Sequence, residues 1–262
     1  MTTGVDSGWL ARGRRGLALV TGGSGTIGQA ICRGLSADGW GIGVGYVSPD
    51  RAEALAAELR ASGAPAVAVP LDLTDPAATR ASIARLHAAN SGIAVVVFNG
   101  GATSADPFHL SDEVSWRRDI AVNFVGTVLV SELCLPHMLA AAAGHFIAVT
   151  SEAAKVGDAR HASYAAAKAA QAAYLAALAR RVAGTGVTAN SVAPGPIESP
   201  LLRGTFASPE EAEAAIRAMQ RLIPARRVGE PEDIATAVRF FARAGPGISG
   251  QHLSVSGGLT MQ

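Results

Sequence analysis

The sequence predicts an α/β chain built on a doubly wound sheet of seven parallel strands with helices on both faces. Two observations carry the prediction. Short apolar runs of β type alternate with long alanine-rich segments of helical period, which is the pattern of βαβ units. A glycine-rich turn follows the first run and opens the first helical segment, where an open parallel sheet places its ligand. Taken in order, Leu17–Val20 leads to Ile27–Ala37, Gly41–Tyr46 to Ala52–Arg60, and Ala66–Leu71 to Ala77–Ala88. Ile93–Phe98 precedes one long helix, Val114–Met138, and Phe146–Thr150 precedes Ser163–Ala183. Val187–Val192 leads through a long loop to Glu210–Met219, and Pro231–Ala242 precedes the last strand, His252–Val255. Punctuation agrees with these breaks. Ser48-Pro49, Asp75-Pro76, Ser208-Pro209 and Glu230-Pro231 each set a capping residue before a proline at the first helical position, and Glu211 completes a capping box.

Composition removes several classes of function. The 262 residues carry 22 Lys and Arg against 21 Asp and Glu, a net charge of +1, so there is no basic footprint for nucleic acid or an anionic membrane. No apolar run approaches the ~18 residues of a bilayer span. The first fifteen residues lack the apolar core of a signal peptide, so a cytoplasmic protein is expected. Residues 1–13 read as a disordered tail and 14–262 as one domain. Cys32 and Cys134 have no metal-ligand or disulfide-framework spacing. His87, His109, His137, His145 and His252 have no metal spacing either, and are expected at the surface or at an interface.

The glycine-rich turn reads Thr21-Gly22-Gly23-Ser24-Gly25-Thr26-Ile27-Gly28. Backbone amides at a helix N-terminus, uncovered by side chains, form an anion site suited to a pyrophosphate. Further along, Asn123 falls in the long helix, Ser151 closes an apolar strand, and Tyr164 and Lys168 stand four apart on one helix face. Together these residues resemble the short-chain dehydrogenase/reductase family, whose loop reads T-G-x-x-x-G-x-G. The likeness runs from about Gly16 to Met261. Two departures mark it: Thr26 stands where the loop's middle glycine is usual, with Gly25 expected to supply the freedom, and Phe98 replaces the first Asn of an N-N-A-G segment.

The resemblance implies a Rossmann-type domain, an oxidoreductase activity and a nicotinamide cofactor. It assigns Gly22, Ser24, Gly25, Thr26, Ile27 and Gly28 to the pyrophosphate, and Asp72 with Leu73 to the adenine. Asn99, Gly100 and Gly101, then Pro194, Gly195, Ile197 and Ser199, fall to the nicotinamide side. It makes Tyr164 the proton donor, Ser151 the group that polarises the carbonyl, Lys168 the holder of the nicotinamide ribose, and Asn123 the anchor of a relay water. A free phenol, with a pKa of ~10, is a poor base at neutral pH; the ammonium of Lys168 is expected to lower it. The chain has 20 Arg and only two Lys, and one of the two falls at 168, where a guanidinium fork could not do both tasks.

The end of the second strand carries Tyr46 where users of NAD carry a carboxylate. Ser48 and Arg51 could meet a 2′-phosphate, so NADP(H) is favoured over NAD(H); otherwise Ser48 only caps a helix and Arg51 is solvated. The chain resembles 3-oxoacyl-thioester reductases and 2-hydroxycyclohexanecarboxyl-CoA dehydrogenases, which implies a ketone or alcohol substrate linked to an acyl carrier or CoA, or a cyclic one. A lid over about 200–224, with Leu201 and Leu202, and a pocket mouth flanked by Glu152, Lys155 and His161 are the candidate substrate contacts. A solvated Lys155 paired with Glu152 is the alternative. The competing functions are an NAD-dependent secondary-alcohol or hydroxyacyl-CoA dehydrogenase and a non-catalytic dinucleotide sensor. A homotetramer is implied by the family's pairing of its two long helices.

Overall fold

Side chains alternate across a strand, so a sheet buried on both faces needs apolar residues at every position. Strand β1 (Leu17–Thr21) meets this condition: all five residues are buried. Leu17 and Leu19 join one apolar cluster, Ala18 and Val20 the other. The structure is a computed structural model and describes residues 15–90, 92–103, 112–204 and 206–260. The expected tail, His109 and the side chain of Leu201 lie outside the described residues.

Six further strands extend β1 into one parallel sheet: β2 (Gly41–Tyr46), β3 (Ala66–Pro70), β4 (Ile93–Phe98), β5 (Gly144–Val149), β6 (Val187–Pro194) and β7 (His252–Val255). Their order is β3-β2-β1-β4-β5-β6-β7. The direction of winding reverses between β1 and β4, and the crevice outside their carboxyl ends is where such sheets bind ligands. Helices α1 (Thr26–Ala37) and α2 (Pro49–Ala61) cover one face, joined there by the last helix, Pro231–Phe241. Helix α3 (Pro76–Ala89) covers the other. Asp75 caps α3 through the amides of Ala77 and Ala78, as the sequence suggests.

The long helix expected over Val114–Met138 is not continuous. It consists of α4 (Glu113–Ile120), a π-helical turn at Ala121–Val125, and α5 (Gly126–Ala140). Single π turns inside helices mark functional sites, and Asn123 lies in this one. By length and composition, Glu113–Ala140 is also apolar enough to cross a membrane, with mean hydropathy 1.5. Here it lies against the sheet, with Val130, Cys134 and Met138 in the core. Short helices α6 (Ala153–Val156) and α8 (Pro200–Arg203) were not foreseen in the sequence. Between them lies α7 (Ala162–Arg181); α9 (Pro209–Leu222) and α10 (Pro231–Phe241) follow. Ser208 caps α9 through the amide of Glu211, and Glu230 and Asp233 form a capping box on α10.

Several histidines expected at the surface are partly buried. His145 pairs with Thr188 across β5 and β6 at 2.9 Å, and His252 pairs with Thr150 at 2.9 Å. His87 stacks on the exposed His137 with ring centroids 3.7 Å apart. Burial lowers the pKa of all three partly buried imidazoles, with His137 adding to the effect at His87 and Lys155 at His252.

Candidate active site

At the winding reversal, side chains tie the end of β1 to the end of β4. Thr21 ends β1, and its Oγ1 accepts from the amides of Asn99 (3.1 Å) and Gly100 (2.9 Å) just beyond β4. Asn99 returns the contact, donating through Nδ2 to the carbonyls of Gly22 and Thr21. The turn between β1 and α1 is therefore held at a fixed distance from the end of β4. Gly22 takes φ +59°, and a Cβ there would lie 2.7 Å from the Gly100 Cα. A Cβ on Gly28 would lie 2.3 Å from the Gly22 carbonyl oxygen.

Gly25 does not supply the freedom expected of it. Its φ is −75°, an ordinary extended value, and a Cβ would meet only the Gly22 oxygen at 3.4 Å. Thr26 is accommodated because it is the first residue of α1 rather than part of the turn. No side chain caps α1, and its first turn carries no acidic residue, so its amides remain for an anion. This uncapped terminus, the two obligatory glycines and the crevice fit a dinucleotide pyrophosphate.

Beside this cradle, the Asp72 carboxylate accepts from the amide and hydroxyl of Thr74, which hold its pKa low. Leu73 is buried and packs where Gly126 opens α5; a Cβ on Gly126 would lie 2.7 Å from it. Tyr46 is half-buried at the tip of β2. Ser48 and Arg51 beyond it are exposed; Ser48 stands at the N-cap of α2, and its hydroxyl makes no cap bond there.

The candidate catalytic side chains converge at the carboxyl ends of β4 and β5. Lys168 is only 2% exposed; its Nζ donates to the Val149 carbonyl at 2.8 Å and to Gln171 Oε1 at 3.3 Å. It lies 5.8 Å from the centroid of the Tyr164 ring. Ser151 is hydrogen-bonded to Tyr164 and accepts from the Ala153 amide at 3.1 Å. Asn123 donates to the carbonyls of Ala102 (2.6 Å) and Asp119 (2.8 Å), and its buried Oδ1 has no hydrogen-bond partner among the described residues. Gly101 fills the space between: a Cβ there would be 3.1 Å from Asn123 Oδ1 and 3.9 Å from Lys168 Nζ.

The expectation that Lys168 lowers the Tyr164 pKa is not met in this geometry. Burial pushes the phenol up, the Ser151 hydrogen bond pulls it back, and Asp119 and Asp158 push it up further. Lys168 has no carboxylate partner among the described contacts, and burial draws its own pKa down to about 7.

The segment that begins at Pro194 is tied to the residue after Ser151. Glu152 donates its amide to the Pro194 carbonyl at 3.0 Å, and the Gly195 amide donates to Val255 at 3.1 Å. Ile197 bridges to Gly229, while Ser199 caps α8 through the Leu202 amide. Leu202 packs with Ile216, Met219, Ile223 and Val228 in a small apolar cluster of their own.

Lys155 is not the solvated lysine weighed in the sequence. Its side chain is mostly buried, donates to Ser254 Oγ at 2.5 Å, and stands 3.9 Å from the buried Glu152 carboxylate. His161 precedes α7 and pairs with Asp158 at 3.0 Å. Lys155 and Glu152 thus stand together, both mostly buried, in the turn that follows Ser151.

Three polar residues of the site escaped the sequence reading. Asp119 is fully buried on α4 and accepts from Ser163 Oγ at 2.7 Å, next to Tyr164. Thr127 and Gln171 are buried and hydrogen-bonded to each other. The position of Gln171, three residues after Lys168 on a helix, was the available signal.

The short chain dehydrogenase family matches residues 16–210. This chain belongs to the short chain dehydrogenase family. It is 35% identical over 246 residues to the cis-4-hydroxycyclohexanecarboxylate dehydrogenase of Sinomonas cyclohexanicum, covering 93% of this chain and 96% of that one. It is 33% identical over 248 residues to a 3-oxoacyl-[acyl-carrier-protein] reductase of a Synechocystis strain, covering 94% and 97%. Among solved structures it resembles a gluconate 5-dehydrogenase from Burkholderia cenocepacia in complex with NADP and tartrate. That likeness has a TM-score of 0.85, an identity of 29%, and a coverage of 95% of this chain and 98% of that one. The dehydrogenase is an oxidoreductase on a seven-stranded parallel sheet, as the sequence predicts.

Proposed function

We propose that this dehydrogenase reduces a ketone to a secondary alcohol with NADPH, Tyr164 supplying the proton. The observation that carries the reading is the meeting of the half-buried Tyr164 and Ser151 with the buried Lys168. A bound nicotinamide supplies the hydride; the rest falls to the chain. Ser151 orients the carbonyl oxygen and the Tyr164 hydroxyl. The phenol, held protonated by burial, is a ready acid for the oxygen that gains charge as the carbonyl is reduced. The same burial disfavours the phenolate that alcohol oxidation needs, which supports reduction at neutral pH. Lys168 and the Asn123 π turn hold the ribose and a relay water. A dinucleotide sensor would have no use for so ordered a proton donor.

The substrate is taken to be a 3-oxoacyl thioester or a cyclic ketone, in keeping with the names of the two relatives. Leu202 and α9 form its lid, and a cytoplasmic homotetramer is the expected assembly. The choice of NADPH rests on the β2 tip: Tyr46 in place of a carboxylate, with Ser48 and Arg51 exposed beside it. The test is kcat/KM with NADPH and NADH, using acetoacetyl-CoA and 4-oxocyclohexanecarboxylate as ketones. Wild type should favour NADPH, and Tyr46→Asp should shift the ratio toward NADH by about tenfold or more, because a carboxylate there repels the 2′-phosphate and binds the 2′-hydroxyl. A wild-type preference for NADH overturns the cofactor assignment.

A further inference from the structure

Gln171 faces the interior of α7 at only 1% exposure, on the side whose next turns supply Leu175, Leu178 and Ala179 to the core. A buried amide is costly unless both its ends are satisfied, and both are. Its Nε2 donates to Thr127 Oγ1 at 2.6 Å, and its Oε1 accepts from Lys168 Nζ at 3.3 Å. Thr127, equally buried on α5, donates in turn to the Asn123 carbonyl at 3.4 Å. The donors run in one direction, from Lys168 through Gln171 and Thr127 to the main chain of the π turn. Two elements that carry candidate catalytic groups are thus joined beneath the site by a single buried chain.

We infer that Gln171, braced by Thr127, is a positioning residue that sets where the Lys168 ammonium sits and keeps it charged. This rests on the catalytic reading of Tyr164 and Lys168 above. Val149 and Gln171 are the two protein acceptors recorded for Nζ, and they fix two of its three N–H directions. The third is left for the site, on the side of Gly101. Ionisable groups around the lysine are Tyr164 on its own helix, Asp119 on α4 and Asp158 before α7; the two carboxylates act on Tyr164. Burial draws Lys168 toward the neutral amine, and what opposes it among the described contacts is hydrogen bonding to the two neutral acceptors, Val149 and Gln171, rather than a counter-ion. Removing one of those acceptors favours the neutral amine, and replacing it with a carboxylate favours the ammonium.

The test is the pH profile of kcat with NADPH and whichever of acetoacetyl-CoA or 4-oxocyclohexanecarboxylate wild type turns over faster. Activity that needs the ammonium falls as pH rises through the Lys168 pKa. Gln171→Leu should lower kcat about tenfold and move this alkaline limb down by about one unit. Gln171→Glu should move the limb up, and Thr127→Val, which removes the brace, should move it down by less. Opposite displacements in the two Gln171 variants are not produced by a packing defect. If Gln171→Leu does not fold, the Gln171→Glu and Thr127→Val pair decides by the same opposition. Limbs that superimpose on wild type, with Lys168→Met inactive, overturn this inference alone. Full activity in Lys168→Met overturns the catalytic reading with it.

Discussion

Tyr164→Phe is expected to lower turnover by about 10²- to 10⁴-fold, the usual contribution of a placed general acid. The substitution deletes one oxygen and leaves the ring, so the packing around it is kept. What is lost is the hydroxyl bonded to Ser151, the proton donor of the proposed reaction. NADPH binding should change little, because the cradle at Gly22 and Gly28 and the Lys168 contacts to Val149 and Gln171 are untouched. Ketone-dependent NADPH oxidation together with a fluorescence titration of NADPH separates the two effects. Turnover near that of wild type would remove Tyr164 from the chemistry.

Gly28→Ala is expected to weaken NADPH binding by about 10- to 100-fold and to lower the melting temperature of the unliganded protein. The new methyl would stand 2.3 Å from the Gly22 oxygen and 2.8 Å from the Gly23 Cα. Both are backbone atoms, so the turn itself must move, and overpacking of this kind costs ~1–3 kcal/mol. The turn cannot move freely, since Asn99 and Thr21 tie it to the end of β4 and the Gly23 amide ties it to Gly45 on β2. Gly25→Ala is the control. Its methyl meets nothing closer than 3.4 Å, so the melting temperature should hold. Equal stability in the two variants would contradict the reading of the cradle.

The central strands were legible because they must bury both faces, leaving a run such as Ile93–Phe98 with no polar residue to misread. Helix starts were legible at Asp75 and Ser208 because a side chain has to satisfy free amides there. The π turn was not, because Ala121–Val125 carries no proline or glycine, and the bond from Asn123 to the Ala102 carbonyl is made to a distant segment that no local pattern reveals. Gly25 misled for a related reason. A glycine in a glycine-rich motif suggests special backbone angles, whereas here the motif's demands fall on Gly22 and Gly28.

Lys155 and Lys168 illustrate the same limit. Both are rare lysines in an arginine-rich chain, and both are largely buried. Spacing from Tyr164 distinguished Lys168, but nothing local indicated that Lys155 would reach Ser254 on β7, 99 residues away. The polar floor of Thr127 and Gln171 was hidden similarly. They lie on different helices 44 residues apart, and although Gln171 follows Lys168 by one turn, only the packing of α5 against α7 shows that it meets Thr127.

The central claim, direct hydride delivery to a carbonyl carbon with Tyr164 as the proton source, is tested most directly by isotope transfer. NADPH deuterated at the nicotinamide C4 is supplied with acetoacetyl-CoA or 4-oxocyclohexanecarboxylate, and the alcohol is examined by mass spectrometry. The account predicts one deuterium on the carbinol carbon with wild type, and no labelled alcohol from Tyr164→Phe over the same interval. Labelled alcohol formed equally by both proteins, or none formed by wild type from either ketone, would contradict it.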